Sequence, residues 1–123
     1  MIHKMSLFSK PFNQVKNSRQ TIEVRLFDAK RRRVKLGDTI VFTRLPDKKD
    51  KIAVKVFSLS RFRSFRDLFS TFEAAKFGHQ KNVKKKWQIQ RMYRYYTPKD
   101  EQKYGVIAMH IKLDNALDKD LQK

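Results

Sequence analysis

The most constraining feature of the sequence is the strict alternation of apolar and polar residues over Thr21–Phe27, which reads TIEVRLF. A period of two indicates a β-strand with one buried face. The apolar residues on that face are Ile22, Val24 and Leu26. Glu23 and Arg25 share the opposite face, about 6 to 7 Å apart along the strand. This face is therefore either solvated surface or the floor of a site in which the two charges grip one polar ligand.

Three further strands are predicted. Thr39–Arg44 follows a turn at Gly37, and another strand begins at Ile52 after the polar loop 46–51. These two strands should pair antiparallel as a hairpin. The last strand is Val106–Leu113, in which every second residue is apolar.

Short helices are predicted between the strands. One begins at Pro11, which suits the first turn of a helix. The clearest has Ser64 as its N-cap and four apolar residues on one face at the i, i+3, i+4, i+7 spacing. These residues are Phe65, Leu68, Phe69 and Phe72. Another helix is expected from about Val83, with Tyr93 packed in the core, and Thr97–Pro98 caps a short one that ends at Gly105.

Length and composition indicate one domain spanning residues 1–123, with a core over about 3–113 and a frayed tail over 114–123. Cysteine is absent, which excludes disulfides, thiolate metal sites and a cysteine nucleophile. His3, His79 and His110 are isolated in sequence, so no metal site is expected. No apolar run approaches the length of a membrane span, and we expect a soluble cytoplasmic protein without a membrane partner. The sequence does not determine the oligomeric state, for which a monomer is the default.

The charge predicts a polyanionic partner. Thirty Lys and Arg against twelve Asp and Glu give a net charge of +18. Two blocks, 10–35 and 76–103, each carry nine basic and two acidic residues. Nucleic acid is the expected partner if the fold brings both blocks to one groove. The alternative is a protein-interaction module whose positive charge is incidental.

Several segments together resemble a bacterial ASCH domain (activating signal cointegrator homology). They are Thr21-Ile-Glu-Val-Arg-Leu, Lys35-Leu-Gly-Asp38, Arg61-Phe-Arg-Ser-Phe65, Tyr95-Tyr96 and Lys103-Tyr-Gly-Val106. The resemblance covers about 11–113. It implies the α+β fold of the PUA-like superfamily, a β pseudo-barrel of about five to six mostly antiparallel strands with surrounding short helices. It also implies RNA recognition at a cleft, and in some branches hydrolysis of a modified cytidine or of RNA.

The family signature Gly-x-Lys-x-x-Glu-x-Arg aligns with Ser18, Gln20, Glu23 and Arg25 of this chain. In the branch that hydrolyses N4-acetylcytidine, the lysine is catalytic and a threonine stands at the position of Glu23. Glutamine carries no exchangeable charge, so Gln20 cannot act as a general base. The resemblance thus implies an RNA-binding domain rather than this amidohydrolase, and Glu23 is the one candidate catalytic residue if the chain is an enzyme.

The predicted binding residues are those of the signature segment, the basic runs and three aromatic residues. They are Ser18, Arg19, Gln20, Thr21, Glu23, Arg25, Arg31, Arg32, Arg33, Lys84, Lys85, Lys86, Trp87, Tyr96 and Tyr104. Trp87 either stacks on a base beside the lysines or anchors its helix on the barrel. Tyr96 and Tyr104 either meet a ligand or close the end of the barrel. The predicted partner is RNA, single-stranded or structured, or a modified nucleoside, and no cofactor is expected. The alternative function is a hydrolase of the same fold, an N4-acetylcytidine amidohydrolase or a ribonuclease.

Overall fold

The computed structural model describes residues 1–123 and has one curled, five-stranded sheet. The strands are β1 (Ile2–Phe8), β2 (Ile22–Leu26), β3 (Thr39–Leu45), β4 (Lys51–Phe62) and β5 (Val106–Leu113). Their order across the sheet is β1-β3-β4-β5-β2. Strand β1 runs parallel to β3, and the other three pairings are antiparallel. The sheet forms a half-barrel, so the prediction of an α+β fold with five mostly antiparallel strands is confirmed.

Six short helices surround the sheet. They are α1 (Ser9–Lys16), α2 (Ala29–Arg32), α3 (Phe65–Thr71), α4 (Lys85–Met92), α5 (Pro98–Tyr104) and α6 (Asn115–Leu121). The predicted caps form, because Ser64 accepts a hydrogen bond from Asp67 N and Thr97 accepts one from Asp100 N. All of these helices are far shorter than a bilayer crossing requires, and none is apolar enough for one.

The curled sheet buries apolar residues on both of its faces. Inside the curl, Met109 and Ile107 of β5 belong to a cluster that also contains Phe12 and Phe42. Outside it, Val106 and Ala108 of β5 pack with Phe65 and its neighbours beneath α3 and α4. Strand β5 therefore carries side chains into two cores, which explains its nearly continuous apolar sequence.

Strand β2 separates these two environments. Its predicted core residues Ile22, Val24 and Leu26 do face α3 and α4. In the antiparallel register Glu23 lies opposite Met109 and Arg25 opposite Ile107, so both charged side chains point to the inner side of the curl. The alternation in the sequence thus divides an apolar face under the helices from a polar face inside the half-barrel.

The two edge strands, β1 and β2, approach each other across the open side of the curl. Arg25 of β2 crosses this gap, since its Nη2 donates a 2.7 Å hydrogen bond to the carbonyl oxygen of Ser6 in β1. The carbonyl of an edge strand is thereby satisfied by a side chain instead of by another strand. This bond joins the two ends of the sheet.

The sequence missed or misplaced several features. No strand was assigned before Pro11, yet β1 buries His3, Met5 and Leu7 in strict alternation. The helix expected from Val83 begins at Lys85. Tyr93, expected in the core, is 39% exposed.

The end of the chain also differs from expectation. The segment expected to fray contains α6, whose N-cap Asp114 accepts a hydrogen bond from Leu117 N. Asp118 of this helix accepts a 3.2 Å bond from Ala53 N in β4. Helix α6 forms because β4 offers it a partner, which the local sequence does not reveal.

Candidate functional site

The gap between the two edge strands opens into a cavity of about 330 Å³. We call it the edge-strand cavity. It is lined from three directions: by Ser6–Phe8 of β1, by Gln20 and the β2 segment 23–25, and by α4 with the turn that follows it. Residues of both predicted basic blocks line it, among them Arg25 of block 10–35 and Arg91 of block 76–103.

Glu23 and Arg25 form an ion pair in the wall of this cavity. Arg25 Nη2 lies 3.2 Å from Glu23 Oε2, and Glu23 Oε1 accepts a 3.1 Å hydrogen bond from Val24 N. The carboxylate and the guanidinium are thus in contact with each other rather than spread to grip a ligand from both sides. Both side chains are largely buried, at 9% and 14% exposure. Removing either one would leave a buried charge unpaired, at a cost of about 3 to 5 kcal/mol.

Burial and neighbouring charged side chains determine the protonation of Arg25 and Tyr96 in this wall. Burial by itself lowers the pKa of Arg25, but Glu23 and Tyr96 outweigh it and the pKa is raised. Burial raises the pKa of Tyr96, although Arg25 and Arg31 oppose the change. The Arg25 guanidinium is therefore charged at neutral pH, and the Tyr96 hydroxyl keeps its proton and can donate it to a ligand.

Three glutamine amides line the cavity, and they differ in their hydrogen bonding. Gln14 Nε2 donates a 2.9 Å bond to the carbonyl of Gly78. Gln20 Nε2 donates a 3.1 Å bond to the carbonyl of Ile22. Gln88, on α4, is 3% exposed, and its Nε2 has no hydrogen-bond partner in the protein. Leaving a buried donor unpaired costs about 1 to 3 kcal/mol. The amide of Gln88 is therefore available to an acceptor on a molecule that enters the cavity.

His79 and Arg91 also line the cavity and pack around Trp87. The His79 ring meets Trp87 edge-on at 5.3 Å between centroids, and the Arg91 guanidinium lies 5.3 Å from the Trp87 ring. Burial, with help from Arg91 and Lys10, lowers the pKa of His79, so its imidazole is neutral at pH 7. Trp87 itself is 46% exposed and does not line the cavity. Its indole supports the cavity wall from outside.

Aromatic side chains stand at the mouth of the cavity. The rings of Phe8 and Tyr95 lie 6.2 Å apart, and both residues are more than half exposed. Tyr96 lies deeper and stacks on the buried ring of Phe65 at 5.9 Å. The mouth therefore offers flat apolar surfaces next to a polar interior.

The structure brings four of the predicted binding residues together in the cavity wall. They are Gln20, Glu23, Arg25 and Tyr96. The neighbouring Ser18, Arg19 and Thr21 do not line it. Ser18 has φ of 60°, the conformation for which the family signature has glycine.

The predicted basic runs lie outside the cavity. Arg31 is paired with Asp28, with Nη1 2.9 Å from Oδ2, and Arg33 is an exposed residue at the end of α2. Arg32 and Tyr104 line a separate cleft. Lys84, Lys85 and Lys86 are exposed at the start of α4, where Lys85 Nζ donates to Ser70 Oγ.

The sequence analysis missed the polar face of α4. Gln88, Arg91 and Met92 of α4 line the cavity at the i, i+3, i+4 spacing of one helical face, and Tyr95 in the following turn continues this spacing at i+7. Attention to this second periodicity, beside the apolar one through Ile89, would have identified them. Within the structure, no group of three or more His, Asp or Glu side chains is arranged to hold a metal ion.

Comparison with known proteins gives a consistent result. Residues 5–114 match the family described as the ASCH domain. No curated protein matches the sequence. The crystal structure of hypothetical protein PH0355 is similar over 92% of this chain and 99% of its own, with 29% identity and a TM-score of 0.80. Protein PF0455 from Pyrococcus furiosus, solved by NMR, is 30% identical over 93% of this chain and 98% of its own, with a TM-score of 0.73.

A more distant likeness extends to a named ASCH protein. The crystal structure of ASCH from Zymomonas mobilis has 14% identity and a TM-score of 0.60, and the match covers 90% of this chain and 66% of that one. At this identity the likeness concerns the fold alone. The predicted PUA-like architecture is confirmed by these neighbours.

Proposed function

The chain belongs to the ASCH domain family, and from this premise we propose that it binds RNA by accepting one unstacked nucleotide in the edge-strand cavity. The volume of about 330 Å³ is at the lower end of the range of ligand pockets, roughly 300 to 1,000 Å³. Such a space suits a single nucleoside. Proteins that read single-stranded RNA commonly take splayed-out bases against aromatic side chains and bond their polar edges.

The observation that carries this proposal is the unpaired amide of Gln88. Its buried Nε2 has no acceptor in the protein and lies in the wall of a cavity that also contains a carboxylate and a guanidinium. A nucleobase presents ring nitrogens and carbonyl oxygens as acceptors, and amino or imino groups as donors. Gln88 and Arg25 can serve the acceptors, and Glu23 can serve the donors.

The surroundings of the cavity support the same partner. The exposed rings of Phe8 and Tyr95 at its mouth offer a stacking surface, which contributes about 1 to 3 kcal/mol per base. The exposed run Lys84–Lys86 lies at the start of α4, the helix that forms one cavity wall. Its ammonium groups can hold phosphates next to a bound base.

Substitution of Gln88 separates a ligand-binding role from a structural one. We expect Gln88→Leu to leave the melting temperature unchanged or to raise it, because an unpaired buried donor is replaced by an apolar group of similar size. The same substitution should weaken binding of single-stranded RNA by about tenfold, the effect of losing one good hydrogen bond inside a cavity. Thermal unfolding and fluorescence anisotropy with a labelled oligonucleotide measure the two effects.

Gln90→Leu is the matched control. It makes the same chemical change two residues away on α4, at an exposed position that does not line the cavity. Neither variant alters the net charge, so a difference in affinity between them reports the cavity itself. A lower melting temperature for Gln88→Leu with unchanged RNA affinity would show that the amide is structural.

The amidohydrolase alternative makes a separate prediction. We expect no turnover of N4-acetylcytidine, because the position of the family's catalytic lysine holds Gln20, whose neutral amide donates to the carbonyl of Ile22. General acid or base catalysis contributes about a hundred- to ten-thousand-fold, and an amide does not supply it. Chromatography of the nucleoside after long incubation with the protein tests this. Turnover above a no-enzyme control that disappears in Glu23→Gln would identify the chain as an enzyme.

A further inference from the structure

A second concave region lies where strands β2 and β4 end and β5 begins. We call it the basic cleft. Its volume is about 680 Å³, and none of its lining residues also lines the edge-strand cavity. Its cationic residues are Arg32, Arg61, Arg63 and Lys103, and no acidic residue lines it. Phe27 and Tyr104 are its aromatic residues with the closest cationic neighbours.

The four cations of the basic cleft are not neutralised by the protein. None of them takes part in an ion pair, whereas the adjacent Arg31 is paired with Asp28. Four like charges in one concavity repel one another, and an anion relieves this repulsion. An anionic ligand bound in the cleft would supply the negative charge that the protein does not provide.

Two of the guanidinium groups are held in place by an aromatic ring. The Cζ atoms of Arg61 and Arg32 lie 4.1 and 4.8 Å from the centroid of Phe27. Arg32 Nε also donates a 3.3 Å bond to the carbonyl of Phe27. Stacking orients a guanidinium plane without consuming its N–H donors, and such planar donors match the oxygens of a phosphate. The guanidinium of Arg61 makes no hydrogen bond to the protein, so its N–H donors are available to a ligand.

The basic cleft and the edge-strand cavity are joined by β2 and α2. Arg25 in the cavity and Phe27 in the cleft are two residues apart, about 7 Å along an extended chain. Helix α2 follows directly and contributes Arg32 to the cleft. Residues of one short segment, 25–32, therefore contribute to both sites.

We propose that the basic cleft binds the sugar–phosphate backbone of the RNA strand whose base enters the edge-strand cavity. This inference rests on the proposed RNA binding and adds a second contact surface to it. The proposal predicts that a longer oligonucleotide binds more tightly than a dinucleotide, because the longer strand can place several phosphates in the cleft while one of its bases occupies the cavity.

The test compares single-stranded RNA of about 12 nucleotides with a dinucleotide. We expect the double variant Arg61→Gln/Arg63→Gln to weaken binding of the longer RNA by roughly tenfold or more. The slope of log affinity against log salt should fall by about 1 to 2, as expected when two phosphate contacts are lost. Binding of the dinucleotide should be unchanged.

Lys55→Gln/Lys112→Gln is the charge-matched control. These two exposed lysines face each other across β4 and β5, about 20 Å along the strand from Arg61, and line neither site. Arg61→Lys/Arg63→Lys is the rescue variant, because it keeps both charges while removing the Arg61 guanidinium from the ring of Phe27. We expect it to restore the salt slope and only part of the affinity.

The outcomes separate this inference from the proposed function. RNA binding by the wild-type protein, with equal affinity and equal salt slope for the Arg61/Arg63 variant and the Lys55/Lys112 control, overturns the basic cleft and leaves the cavity intact. An equal loss for the dinucleotide also overturns it, since the effect would then act at the cavity. Failure of the wild-type protein to bind either RNA overturns both proposals.

Discussion

The affinity of this protein for single-stranded RNA should fall by a few hundredfold when monovalent salt rises from about 50 to 200 mM, if about six phosphates are contacted. The physical reason is the release of counterions from the RNA backbone when cationic side chains replace them. Of the thirty Lys and Arg residues, only Arg25, Arg31, Arg44 and Lys123 are ion-paired with carboxylates. Most of the positive charge is therefore free to interact with phosphates.

Substitution of arginines by glutamate tests which cationic side chains on the surface contact the RNA phosphates. Among the three consecutive arginines after Lys30, Arg31 is paired with Asp28, whose carboxylate also caps α2 through Arg31 N. Reversal of Arg31 would thus damage the helix as well as the charge. Arg32→Glu/Arg33→Glu is the cleaner variant and should weaken binding and lower the salt slope. A titration in which RNA fails to bind even at low salt, or binds with no salt dependence, would contradict the nucleic-acid assignment.

The largest expected loss of stability is for Phe65→Ala. Phe65 is fully buried at the start of α3, and its ring contacts Phe69, Tyr93 and Tyr96 within 6.4 Å between centroids. Truncation of a buried phenylalanine costs about 3 to 5 kcal/mol, from lost transfer free energy and from the cavity left behind. For a chain of this size the melting temperature should fall by about 10 to 20 °C.

We expect Phe65→Ala to weaken RNA binding at the candidate site as well. The Tyr96 ring in the cavity wall rests on Phe65, so the loss of that support should weaken RNA binding even at temperatures where the variant is folded. Phe57→Ala is the control, because Phe57 is 59% exposed and its truncation should shift the melting temperature by only a few degrees. Equal losses in the two variants would show that the buried aromatic cluster beneath α3 contributes no more to stability than an exposed ring.

The strand at Thr21–Phe27 shows what the alternation of residues predicts and what it leaves open. Alternation identified which residues of β2 face the core and which face away, and both assignments hold in the structure. The polar face could not be interpreted from the sequence, because exposed strands and cavity walls carry the same kind of side chains. The curl of the sheet turns Glu23 and Arg25 inward, where burial and the Ser6 carbonyl join them to β1.

The first strand was missed for a related reason. The alternation of His3, Met5 and Leu7 is present in the sequence, but it is short and its first buried residue is the polar His3. Its strand conformation depends on β3, with which it pairs in parallel from Ile2 to Phe8. This parallel pairing links segments more than thirty residues apart, and no turn motif in the sequence predicts it.

The sequence by itself determined the fold family through its resemblance to ASCH domains. It also determined four of the five strands, the caps of α3 and α5 and the excess of positive charge, because these depend on local periodicity, capping chemistry or composition. The tertiary structure alone decided where the candidate binding surfaces lie. It brought β1 against β2, placed the polar face of α4 over the gap, and left the amide of Gln88 buried without a partner. It also gathered Arg61 with Arg32 on the ring of Phe27. These groups are distant in sequence, and only the closure of a curled sheet sets the distances between them.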